Sequence, residues 1–147
     1  MVREQKALRI MQVVFVVFAL LLFPQMRYLT PAQPPGPLTL FHKLVALIAI
    51  ADCVIGIVLQ RILIKNPGES LPIGTVATPS QRWLIANVVR LAFSLSTCLF
   101  GLVIHMTGSP NWLAQGLVGL GILFMVVVAP GKPPADEQGN SPYGAIG

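Results

Sequence analysis

The sequence predicts an all-α polytopic membrane protein, a bundle of four transmembrane helices, and three observations carry that prediction. Hydrophobic residues make up 54% of the chain and charged residues only 10%, against roughly 25% charged in an average soluble domain. Four apolar stretches follow one another, at residues 8–28, 44–64, 83–105 and 112–129, and about 20 residues suffice to cross a bilayer core. The cations stand at the ends of these stretches rather than in a patch, where they set topology. Residues 1–129 are therefore expected to form one four-helix membrane domain, and 130–147 a disordered cytoplasmic tail.

The first stretch follows Arg3, Lys6 and Arg9 and closes at Pro24 and Arg27. Its uninterrupted apolar part, Val13 to Phe23, has the length of a signal-peptide core. Thr30 and Ala32 offer only a poor cleavage site with Pro31 between them, so a retained helix is expected. Gln12 lies near its inner end, where a polar residue costs little. Residues 30–38 hold four prolines and a glycine. Proline lacks an amide donor, so this segment reads as an extended, polyproline-like spacer.

The second stretch contains Asp52 and Cys53, with Ala49, Asp52, Gly56 and Gln60 on one face that leaves room for a neighbouring backbone. Asp52 is the one acid inside any span. A loop rich in proline and glycine follows, over 65–81, and Ser80 is the expected N-cap of the third helix.

The third stretch organises the rest. Asn87, Arg90, Ser94, Thr97, Gly101 and His105 recur at steps of three and four, which places them on one helix face. Trp83, Val88, Leu91, Leu95, Leu99, Leu102 and Met106 are expected to form an apolar face opposite. A polar, small-residue face is too costly in lipid, so it must meet other helices while Leu95 and Leu102 look outward. Gly108-Ser109-Pro110-Asn111 reads as a tight turn. In the fourth stretch Gly116 and Gly119 provide a smooth patch for close packing, and Pro130 and Gly131 end it.

Orientation follows from counting Lys and Arg. Arg3, Lys6, Arg9, Arg61, Lys65, Arg82 and Lys132 fall on one side, and Arg27 and Lys43 on the other. The richer side is cytoplasmic, so both termini are expected in the cytoplasm of a multi-pass inner-membrane protein.

Candidate chemistry is sparse. An intramembrane acid is often functional; Asp52 forms a structural ion pair with Arg90, takes up a proton or cation with Ser94 and His105 along the same path, or is held by simple hydrogen bonding. His42 and His105 both fall near the outer surface, but no acid stands beside them to complete a metal site, which needs three or four ligands. Cys53 and Cys98 each lie in an apolar run without a second ligand nearby and read as small buried thiols. No nucleophile–base arrangement, phosphate loop or zinc-protease motif is present in the sequence, so catalytic, cofactor and metal sites are not expected. Basic patches with interleaved aromatics are missing too, which disfavours nucleic acid.

The segment Ala92 to Val103 ends in Phe100-Gly101-Leu102-Val103, which resembles the second helix of rotary ATPase proteolipid (c) subunits. The resemblance implies a proteolipid-like hairpin. That family's proton-carrying acid stands six residues before the glycine, and this chain has Leu95 there, which carries no proton. In overall pattern the chain is similar to small uncharacterised four-helix inner-membrane proteins of bacteria. The expected role is that of an accessory or interaction subunit of a membrane assembly, in contact with lipid and with other membrane subunits or itself. A proton- or ion-conducting or coupling protein using Asp52 is the second reading, and an intramembrane enzyme the third.

Overall fold

The computed structural model describes residues 2–29, 34, 36–65, 79–128 and 130. Four α-helices make up the described chain: α1 (Val2–Tyr28), α2 (Leu40–Lys65), α3 (Pro79–Met106) and α4 (Asn111–Val127). Among the described residues there is no strand. Three of these helices are long and apolar enough to cross a membrane; α4, with 17 residues, is about 25 Å long. The expected spacer over 30–38 falls largely outside the described residues, as do most of the loop over 65–81 and the tail over 130–147.

The helices start and stop a few residues away from the apolar stretches, because hydropathy marks the greasy part of a helix and not the last backbone hydrogen bond. α3 begins at Pro79, so Ser80 lies in its first turn and is not the N-cap; proline suits the first helical position, where its missing donor costs nothing. α2 carries an N-cap at Thr39 that hydropathy does not mark. The Thr39 hydroxyl accepts from the His42 amide at 3.4 Å, and His42 Nδ1 accepts from the Thr39 amide at 3.3 Å. This is a capping box with histidine in the usual place of glutamate.

α3 is the hub. It packs against α1, α2 and α4, while α1 and α2 do not pack on each other among the described residues. Its polar face is buried throughout: Asn87, Arg90, Ser94, Thr97, Gly101 and His105 all lie inside. Trp83, expected on the apolar face, stands four residues before Asn87 and so shares the buried polar face; Leu91 is buried as well, and Leu95 and Leu102 are half-buried against the core. The expected outward apolar face is thus narrowed, because α3 has three neighbours rather than a single polar seam.

Close packing between α3 and α4 rests on glycines other than the expected pair. A Cβ at Gly116 or Gly119 would meet nothing within 4 Å. One at Gly121 would strike the Cys98 sulfur and come within 2.6 Å of the Ser94 carbonyl oxygen, and one at Gly101 would lie 2.8 Å from that of Ala114. The smooth patch is real, but it turns away from the hub.

Candidate functional site: a polar seam along the central helix

Antiparallel register is fixed by side-chain bonds at both ends of the α2–α3 interface. Gln60 Nε2 donates to Asn87 Oδ1 at 2.9 Å, and Asn87 Nδ2 donates on to the Trp83 carbonyl at 2.8 Å. Further along, the Thr97 hydroxyl donates to the Ala49 carbonyl of α2 at 3.0 Å, with the Phe93 carbonyl of its own helix at 3.2 Å. Cys53 Sγ lies 3.1 Å from the same hydroxyl. One hydroxyl hydrogen thus serves two carbonyls, and the Cys53 thiol can donate to the Thr97 oxygen. Every group here is short or amide-bearing, which lets backbones approach while polar atoms remain bonded.

The same register carries His42 and His105 to one level at the end that holds the α3–α4 turn. Each stands 18 residues, or five full turns, from Gln60 and Asn87 respectively. Both are buried; His42 is engaged in its cap, whereas His105 Nε2 has no hydrogen-bond partner. At this end the Gly36 amide also donates to the Gly108 carbonyl at 3.0 Å, which fastens the first connection to the α3–α4 turn. Among the described residues no three His, Cys, Asp or Glu side chains gather in one place.

Asp52 does not meet Arg90. Its Oδ2 accepts from the Ser96 hydroxyl at 2.9 Å, and no ion pair joins it to Arg90 among the described residues. Ser96 and Arg90 are six residues apart on α3, about 9 Å along the axis and about 120° around it. The axial offset was foreseeable from the span ends; the angular one was not. Asp52 sits at the outer flank of the α2–α3 groove, half-buried, while Arg90 points into the bundle and is 1% exposed.

Arg90 is the unsatisfied member of the seam. Among the described residues its Nε and Nη1 are buried without a hydrogen-bond partner. Ser94 does not help, since its hydroxyl donates back to the Arg90 carbonyl at 3.1 Å. The packing of Gly121 on Ser94 and Cys98, with Cys98 Sγ 3.5 Å from the Val118 carbonyl, sets the α3–α4 register and brings Arg90 level with Met125. That is the last turn of α4, whose carbonyls lack helical partners and carry the negative end of the helix dipole. A cation belongs at such an end.

Gln12 completes this arrangement from α1. Its Nε2 donates to the Met125 carbonyl at 2.8 Å. Gln12, expected only as an inexpensive polar residue near an inner helix end, satisfies an open carbonyl of α4 in the fold. The signal that could have revealed it is the shortness of the fourth apolar stretch. Of the four residues expected to form a polar pair or ion path, only Arg90 and Ser94 adjoin each other. His105 is 15 residues from Arg90, about 22 Å along the helix, and Asp52 lies on another flank. Comparisons with protein families, with curated proteins and with solved structures find no match to this chain.

Proposed function

We propose that this chain is a four-span inner-membrane protein with both termini in the cytoplasm, and that it works through its contacts as an accessory subunit of a membrane assembly. What supports the four spans is a common depth scale. Taking Gln12, Arg90, Met125 and the α2 residue facing them, Ile57, as one level, about 15 residues further along each helix lie Arg27, His105, Pro110 and His42. About 20 residues from these, one core thickness, the chain reaches Lys6 and Arg9, Arg82, Pro130 and Arg61. The cations of three segments thus fall near one plane, as the positive-inside rule asks of a cytoplasmic boundary. Tyr28 and Trp112, both strongly exposed, mark the other plane as interfacial aromatics do. On this scale α4 ends about 4.5 Å short of the inner boundary, where Gln12 donates to its open end.

The observation that carries the role is where the polar groups are used. Gln60 with Asn87, Thr97 with Ala49, Cys98 with Val118 and Gln12 with Met125 all join one helix to another. The interior is built as a framework, which leaves the outer surface to do the work.

Two experiments test this. Reporter fusions at residues 34, 70, 109 and 147 are expected to read outside, inside, outside, inside; a cytoplasmic signal at 34 would sink the arrangement. Purification in mild detergent is expected to retain a second membrane polypeptide in fixed proportion. A chain that purifies alone, and gives vesicles a proton flux lost in Asp52→Asn, would overturn the contact role in favour of conduction.

A further inference from the structure

α3 is enclosed by three neighbours except along one stripe. Within its apolar part the exposed residues are Ile85, Ala92, Leu99 and Val103, at steps of seven, seven and four, with half-buried Ser96 at the stripe's edge. Repeats of seven keep one seam of a helix turned towards a single partner helix. On the α2 side the stripe is bordered by Ile48, Asp52 and Ile55. The unfilled sector therefore runs as a groove along α3 beside α2, with small residues Ala92 and Ser96 near its middle.

In that middle lies the Asp52 carboxyl. It stands ten residues from His42, about 15 Å into a core about 30 Å thick. Ser96 gives it one hydrogen bond, and a carboxylate can accept several. Lipid tails donate none, and the chain's own intramembrane cation, Arg90, is turned into the bundle. A carboxylate at mid-depth without a counter-charge is among the costliest groups a membrane protein can carry.

We infer that the α2–α3 groove at Asp52 and Ser96 receives a transmembrane helix of a partner protein that presents a Lys or Arg at its midpoint. Charge complementarity selects this occupant. A second copy of the chain, inserted with the same topology, would bring its own Asp52 to the same depth and oppose like charges. Small residues on α3 let the incoming backbone approach, and the ion pair fixes its register. The inference rests on reading the protein as a contact-making subunit and adds the partner's chemistry to it.

The test uses the full chain in phosphatidylcholine vesicles with a designed Leu/Ala-rich helix carrying one central Lys, and the same helix with Leu or Glu there. Association is read by energy transfer. The Lys helix is expected to bind about tenfold more tightly than the Leu helix, in line with 1–2 kcal/mol for a polar contact between membrane helices. Asp52→Asn should remove most of that preference, and Leu99→Trp should weaken binding by filling the stripe while leaving the carboxyl in place. Equal binding of the Lys and Leu helices, or a preference that survives Asp52→Asn, would overturn the inference. So would association between copies of the chain that depends on Asp52. Should Asp52→Asn fail to fold, Leu99→Trp and Ser96→Val decide the matter, since a groove that tolerates both without loss is not the docking site. The two readings fail separately: a natural membrane partner that stays bound to Asp52→Asn removes this inference alone, whereas a chain with no partner removes the contact role.

Discussion

Replacing Gly121 by alanine adds one methyl group at the tightest point between α3 and α4. That methyl would lie 2.6 Å from the Ser94 carbonyl oxygen and 3.3 Å from the Cys98 amide, and would overlap the Cys98 sulfur. Ordinary contact begins at 3.4 Å, so α4 must withdraw from α3 by roughly 0.8 Å, more than a well-packed interface yields freely. Overpacking of this kind costs about 1–3 kcal/mol. The better helix propensity of alanine returns about 1 kcal/mol, which leaves a net loss of up to about 2 kcal/mol. Gly119→Ala gains the same propensity and meets nothing within 4 Å, so it should be neutral or stabilising by up to about 1 kcal/mol. The two variants differ by one methyl each and should move in opposite directions. Unfolding by sodium dodecyl sulfate in mixed micelles, followed by Trp83 and Trp112 fluorescence, measures both. Cys98→Ala should rescue Gly121→Ala only in part, because the Ser94 carbonyl is backbone and cannot turn aside. A Gly121→Ala protein as stable as Gly119→Ala would refute the packing argument.

Three further outcomes follow from the polar seam. Gln12→Leu should lower stability by about 0.5–1.5 kcal/mol in the same unfolding titration, since the Met125 carbonyl loses its donor; an unchanged midpoint would remove Gln12 from the α4 terminus. Thr97→Val keeps the shape but deletes the bond to Ala49, and should cost about 1 kcal/mol, whereas Thr97→Ser should retain most of it. Asp52→Asn and Arg90→Gln should each destabilise, and their effects should add to within about 0.5 kcal/mol in a double-mutant cycle, as expected of sites this far apart. A coupling well above 1 kcal/mol would reinstate the ion pair between them.

The helices were legible because apolar length and the three-and-four spacing of Asn87 to His105 are local properties of the chain. Burial of that whole face followed from the cost of leaving polar groups in an apolar environment. What stayed hidden depends on register between distant segments. Whether Gly116, Gly119 or Gly121 meets the hub is a matter of how α4 is rotated, and all three glycines look alike in sequence. The expected Asp52–Arg90 contact had nearly the right axial spacing but ignored 120° of rotation, which hands Asp52 to Ser96. Gln12 acquires its meaning only because α4 stops where it does, more than a hundred residues later.

The hub position of α3 also orders events in time. A chain is made from its N-terminus, so α1 and α2 exist before the helix that holds them. Since these two do not pack on each other among the described residues, they cannot form the self-supporting hairpin with which many bundles begin. Until α3 is made, Asp52 and Gln60 lack their partners Ser96 and Asn87, and Gln12 lacks the Met125 carbonyl until α4 follows. α4 comes last and closes onto Gly101, Cys98 and Gln12. A chain interrupted before α3 therefore lacks the helix that joins α1 to α2.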